Sequence, residues 1–143
     1  MSQKIFIVAD DANILYGLES QFQMAGLEVE VSEADEEIDE LISNIKEYDP
    51  DHIVLDLILP KIDGFEVVKR IKSDHELNEK EIFIFTDLSD EDSRSRSLEL
   101  GADYVFFKEE FDTFEFAEKV INIITKKEGR DGIDENEDRD YEE

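Results

Sequence analysis

The chain has 143 residues and carries 41 acidic against 15 basic side chains, a net charge of −26 at neutral pH. That charge excludes direct binding to nucleic acid, whose phosphates would be repelled, and on the same grounds binding to an anionic membrane surface. There is no cysteine, which removes disulfides, thiolate metal sites and thiol nucleophiles, and with two histidines, far apart in sequence, His-based metal or triad chemistry is poorly supplied. The apolar share of 40%, with ten Phe, argues for a packed core over most of the length. No apolar run approaches the roughly 18 residues of a membrane span, and the start, MSQKIFIVADD, lacks the pattern of a cleaved secretory signal. The expectation is a soluble, cytoplasmic domain whose chemistry runs on carboxylates, hydroxyls and lysines.

In chain order, five short apolar runs alternate with five amphipathic stretches. The runs are Lys4–Ala9, Leu27–Val31, His52–Leu57, Ile82–Thr86 and Tyr104–Phe107, rich in Ile, Val and Phe and of strand length. The first, third and fourth are apolar almost throughout, as strands covered on both faces must be. Leu27–Val31 alternates apolar and acidic residues, which suits a place nearer an edge. The stretches Asn13–Met24, Asp35–Glu47, Gly64–Lys72, Glu91–Leu100 and Asp112–Lys126 read as helices. Ile38, Leu41, Ile42 and Ile45 share one helical face, as do Phe116, Val120, Ile123 and Ile124. Gly26 and Gly101 fall where a helix ends in a left-handed residue, and Ser32, Ser89 and Asp112 are candidate caps. Regular alternation with short links implies one doubly wound α/β domain: a parallel sheet with helices on both faces, joined by right-handed crossovers. That domain is expected over residues 1–126. Residues 127–143, with nine acids and a single aliphatic side chain, read as a disordered acidic tail.

In an open parallel sheet, ligands bind outside the carboxyl ends of the strands. The first run ends in Asp10 and Asp11, the third carries Asp56 near its end, the fourth ends in Thr86, and the fifth is followed by Lys108. Three carboxylates, a hydroxyl and an ammonium therefore gather at one rim. Asp pairs at strand ends are common turn formers. Asp56 inside HIVLDLIL is different, because a lone carboxylate there is costly unless it is paired or bound to metal. The oxygens of Asp10, Asp11 and Asp56 suit Mg²⁺, Asp56 suits nucleophilic attack on phosphorus, and Thr86 and Lys108 suit the oxygens of a transferred phosphoryl group. Crowding of carboxylates predicts that Asp56→Ala stabilises the metal-free protein.

These residues and their spacing resemble a response-regulator receiver domain of two-component signalling. IFIVADD is similar to the family's first strand and acid pair, HIVLDLILPKIDGFEVVKRIK to its phosphoacceptor segment, FTDLSD carries the hydroxyl residue, and GADYVFFK carries the lysine. Pro60 and Gly64 lie four and eight residues after Asp56, Thr86 lies 30 and Lys108 52 residues after it, and the likeness spans residues 4–126. The resemblance implies a flavodoxin-like sheet of order 2-1-3-4-5, with Asp56 as phosphoacceptor and Thr86 and Lys108 as its catalytic partners. It also implies Mg²⁺ held by Asp10, Asp11, Asp56 and the carbonyl of Ile58.

Three positions depart from the family pattern. Glu109 replaces the usual cis proline after the lysine, so a trans bond is expected there. Asp87 stands where a small residue is usual, and Val105 stands in place of the switch aromatic. Phe107, on the same side of the strand, is a candidate substitute, with packing against the last helix as the alternative. His52 and His75 read as incidental surface residues, and Gly17 as a point of close packing.

The implied activity is a phosphoacceptor rather than an enzyme in its own right, one that supports its own phosphoryl transfer and dephosphorylation. Because only the acidic tail follows, the expectation is a stand-alone receiver. Its partners would be a sensor histidine kinase and an output or relay protein, with a homodimer through the face of helix 4, strand 5 and helix 5 as a further possibility. A degenerate receiver that binds proteins without being phosphorylated is the alternative. An aspartyl phosphatase of the haloacid-dehalogenase type needs Asp-x-Asp after its central strand, and position 58 is Ile.

Overall fold

The computed structural model describes the backbone over residues 3–129 and side chains over residues 3–126. Ten elements alternate along it: β1 (Lys4–Val8), α1 (Ala12–Met24), β2 (Glu28–Ser32), α2 (Ile38–Tyr48), β3 (His52–Leu55), α3 (Gly64–Lys72), β4 (Glu81–Thr86), α4 (Glu91–Leu100), β5 (Tyr104–Phe107) and α5 (Thr113–Gly129). All strand pairs are parallel and the order is β2-β1-β3-β4-β5. The acidic-alternating β2 forms an edge, and β1, β3 and β4, apolar apart from residues at their ends, lie inside, as a sheet covered on both faces demands.

Side chains alternate across the sheet into two cores. Phe6, Val8, Ile53, Leu55, Ile82, Ile84, Val105 and Phe107 face Leu41, Ile42 and Ile45 of α2 and Val67, Val68 and Ile71 of α3. Ile5, Ile7, Val54, Phe83, Phe85 and Phe106 face Leu15, Leu18 and Phe22 of α1 and Phe116, Val120, Ile123 and Ile124 of α5. The helix faces read from spacing are therefore the buried ones. Beside Gly17 the nearest side chain is Thr113 of α5, whose Cγ2 would lie 3.5 Å from an added Cβ, so the glycine sits where the two helices meet.

Gly26 and Gly101 have φ of +92° and +117°, the left-handed conformation expected of helix ends. Asp112 forms a capping box with Glu115: each carboxylate accepts from the other residue's backbone N–H, at 2.8 and 2.9 Å. The two serines are not caps. The cap of α4 is Asp90, whose carboxylate accepts from the Ser93 N–H, one residue beyond Ser89. Ser32 closes β2 and folds the following turn, its Oγ accepting from Ala34 N–H and donating to Glu36. The side chain of Glu37, which precedes α2, makes no capping bond.

His52 is also not a surface residue. It is 7% exposed, with Nδ1 3.0 Å from Glu81 and Nε2 2.8 Å from Gln3. Its partners lie 29 and 49 residues away in sequence, so no local pattern could announce them. His75 is exposed, as expected. Helix α5 runs to Gly129, past the expected domain end at Lys126. The rest of the expected acidic tail, residues 130–143, lies outside the described residues. Among the described residues no helix is long and apolar enough to cross a membrane.

Candidate phosphoryl-acceptor site

Strand register brings the expected residues to one rim. Val8 pairs with Leu55, Leu55 with Ile84, and Thr86 with Phe107, so β1, β3, β4 and β5 all end at the same level. The ladder continues one residue past the strands: Asp56 N–H donates to Val8 O at 3.1 Å, and Lys108 N–H donates to Thr86 O at 2.8 Å.

Asp56 is 5% exposed. Its Oδ2 accepts from Lys108 Nζ at 2.7 Å, and its Oδ1 accepts from the Ile58 N–H at 3.0 Å. The buried carboxylate thus has a counter-charge and a fixed orientation, as its desolvation requires. The Lys108 side chain, 13% exposed, lies with its ammonium 5.8 Å from the centre of the Phe85 ring. Thr86 is wholly buried, and its Oγ1 accepts from the Leu88 N–H at 3.2 Å, which leaves the hydroxyl proton free to donate elsewhere.

The loop from Asp56 to α3 is pinned by Gly64. Its N–H donates to Leu57 O at 3.1 Å, and an added Cβ would collide with Leu57 Cα and fall 2.6 Å from Leu57 O and 2.8 Å from Asp56 O. Any side chain here would push the segment that carries Asp56 out of place. Asp63 caps α3 through the Phe65 N–H, and Ile58 bridges to Asp63, closing the loop.

Asp10 and Asp11 follow β1 and are exposed. Asp11 also caps α1, its Oδ1 accepting from Asn13 N–H at 2.9 Å and Ile14 N–H at 3.3 Å. Among the described residues no three His, Cys, Asp or Glu side chains stand close enough together to hold a metal ion. Lys108 is the cation that meets Asp56. The acid pair belongs to the rim by topology, and its hard oxygen donors suit Mg²⁺ in kind, but the carboxylates are not gathered into a ready cluster.

The three departures take definite form. Among the described residues every peptide bond is trans, including Lys108–Glu109. Asp87 is exposed. Phe107 is 6% exposed and belongs to the core beneath α2, α3 and α4, with the Arg94 guanidinium of α4 5.8 Å from its ring centre. It does not pack against α5, whose partner on β5 is Phe106. Asp90 and the Ser89–Glu109 contact escaped the sequence reading; the Asp-x-x-Ser spacing of Asp90 and Ser93 was the available signal for the first, and nothing local signals the second.

A doubly wound domain with an acidic rim around a buried, lysine-paired aspartate defines a class, and comparison with known proteins places the chain within it. The family model of the response regulator receiver domain matches residues 5–121. A probable transcriptional regulator, ycf27, of Porphyridium aerugineum is 38% identical over 101 residues, 71% of this chain and 40% of the relative. The transcriptional regulatory protein PrrA of Mycobacterium leprae is 32% identical over 124 residues, 85% of this chain and 48% of the relative. The chain thus spans less than half the length of these two relatives. Among solved structures, the BeF3-activated receiver domain of DrrB from Thermotoga maritima superposes with a TM-score of 0.73 at 27% identity, covering 87% of this chain and 99% of that one. The chain belongs to the response-regulator receiver family. It is the receiver domain of a two-component response regulator, with the family's flavodoxin-like fold.

Proposed function

We propose that Asp56 accepts a phosphoryl group from a sensor histidine kinase, with Mg²⁺ held by Asp10, Asp11, Asp56 and the Ile58 carbonyl. The observation that carries this reading is the buried Asp56 carboxylate 2.7 Å from Lys108, with the Thr86 hydroxyl on the neighbouring strand. In the transfer, a carboxylate oxygen of Asp56 bonds to phosphorus. The P–N bond of the phosphohistidine breaks, its electron pair stays on the imidazole, and the imidazole takes up a proton from solvent water. Bound Mg²⁺ would supply charge neutralisation for the crowded oxygens. Lys108 exchanges its bond to the carboxylate for one to the incoming group, and Thr86 donates its hydroxyl proton to another equatorial oxygen. The domain is a phosphoacceptor that supports its own transfer and dephosphorylation. The charge gained at Asp56 is read through Thr86, Phe107 and α4, and output follows by protein docking on the face of α4, β5 and α5, including pairing with a second copy.

The alternative, a receiver that binds partners without phosphorylation, draws on the substitutions at Glu109, Asp87 and Val105. A beryllofluoride titration with Mg²⁺, followed by NMR, separates the two. Saturable shifts at Asp56, Thr86, Lys108 and along α4 and β5 are expected; a spectrum unchanged through the titration would leave only the binding module.

A further inference from the structure

The family's proline after the lysine is replaced here by Glu109, and the structure shows what that side chain does. Its Oε2 accepts a hydrogen bond from Ser89 Oγ at 3.1 Å. Ser89 lies in the loop that leaves Thr86, and Glu109 in the loop that leaves Lys108. The same two loops are joined at their roots by Lys108 N–H to Thr86 O at 2.8 Å. Within the β4–α4 loop, Leu88 N–H donates to Thr86 Oγ1, and Asp90 caps α4. One chain of contacts therefore runs from α4 through Ser89 and Glu109 to Lys108 and on to Asp56 Oδ2.

We infer that Glu109 is a positioning residue for phosphoryl transfer, its bond to Ser89 latching the lysine loop to the threonine loop. The inference rests on the proposed role of Asp56. With an acyl phosphate as donor, an Asp56 oxygen bonds to phosphorus, the bond from phosphorus to the bridging oxygen breaks, and the carboxylate of the donor leaves with the electron pair. No proton is needed. Negative charge moves across the transferring group, and the ammonium must follow it over a short distance. Proline would hold the backbone beside Lys108 by its ring. A glutamate in a trans peptide has no such stiffness, and the cross-loop bond supplies the restraint instead. Because Ser89 adjoins the cap of α4, the latch also ties the setting of Lys108 to the position of that helix.

Three variants of the full chain separate this role from simple charge effects. Ser89→Ala removes the latch and leaves the charge unchanged. Glu109→Gln removes the charge and keeps an acceptor oxygen for Ser89. Glu109→Ala removes both. Labelling of Asp56 by acetyl phosphate with Mg²⁺ should slow about three- to ten-fold in Ser89→Ala, the size expected from losing one hydrogen bond expressed in the transition state. The fall should appear in the maximal rate and not in the donor concentration at half-maximum. Glu109→Gln should retain the rate, and Glu109→Ala should lose it. Hydrogen exchange at the Lys108 amide, read without any donor, should quicken in the two alanine variants and not in Glu109→Gln. Equal rates and equal exchange in wild type and Ser89→Ala, with Asp56 labelled in both, would overturn the latch alone. No label on wild-type Asp56 would overturn the phosphoacceptor reading and the latch's catalytic role with it.

Discussion

At the scale of single residues, the pairing of Asp56 with Lys108 governs what each substitution does. Carboxylate crowding alone predicts that Asp56→Ala stabilises the protein. The ion pair adds an opposing effect, because that variant leaves a lysine only 13% exposed without its partner, and no net gain is expected. Lys108→Met has no such conflict: it strands a carboxylate 5% exposed beside an acid-rich rim. It should cost about 2 kcal/mol in urea unfolding, and added Mg²⁺ should narrow the deficit by replacing the lost cation. A variant as stable as wild type would mean that Asp56 is solvated despite its position. Asp87 is exposed, so its effect on an anionic donor is screened. Asp87→Ala should speed labelling by acetyl phosphate a few-fold, and labelling by a docked kinase less, since docking energy offsets the repulsion. Equal effects on both donors would show that Asp87 does not face the approach. Asp56, Thr86 and Lys108 were legible in the sequence because each stands at the end of a strand, or one residue past it, and the apolar runs of those strands are unmistakable. The burial of His52 was not legible, because its partners are distant in sequence: Glu81 on the neighbouring strand β4 and Gln3 just before β1.

At the scale of elements, α1 and α4 join the fold to the site. Asp11 both caps α1 and lies at the rim. Asn is as good a cap as Asp, so Asp11→Asn should preserve the helix while removing the charge of a proposed Mg²⁺ ligand. Mg²⁺ should raise the melting temperature of wild type and raise that of Asp11→Asn much less. Equal shifts would place the cation elsewhere. Helix α4 buries only Ser97 and presents arginines to aromatic rings: Arg96 lies 4.1 Å from the centre of Phe65, and Arg94 lies 5.8 Å from that of Phe107. So thinly anchored an element should open first, with its amides exchanging faster than those of α3, whose Phe65, Val67, Val68 and Ile71 are buried. The cap on α4 is pH-dependent. Hydrogen bonds from the Ser93 hydroxyl and backbone N–H hold the Asp90 carboxyl below its ordinary value of 3.8. The stability it contributes is therefore full above that value and is lost as pH falls through the lowered one. Asp90→Ala should melt below wild type at neutral pH, and the gap should close in acid; a gap that persists there would exclude the ionised cap as its cause. Element positions were legible from period and composition, whereas the caps at Ser32 and Ser89 were misplaced because a serine can serve a turn as well as a helix end.

At the scale of the whole molecule, the net charge of −26 sets the background for every local effect. Ion pairs such as Lys46–Asp74 and Lys80–Asp49 tie neighbouring elements together, but acids outnumber bases nearly three to one. Salt should therefore raise the melting temperature by screening self-repulsion; a fall would show that the pairs outweigh it. The doubly wound parallel sheet followed from the sequence because alternating strands and helices with short links leave few topologies, and its order followed from the resemblance to the receiver family. The expected convergence of the carboxylates is not met by a ready cluster among the described residues, because topology brings Asp10 and Asp11 to the rim without fixing where their side chains turn. The account as a whole stands on Asp56 as the acceptor. Its most direct test is mass spectrometry of the chain incubated with acetyl phosphate and Mg²⁺, beside Asp56→Ala. One added phosphoryl group, mapped to Asp56 and absent from the variant, is the expected result; an equal mass gain in Asp56→Ala, or none in either protein, would contradict it.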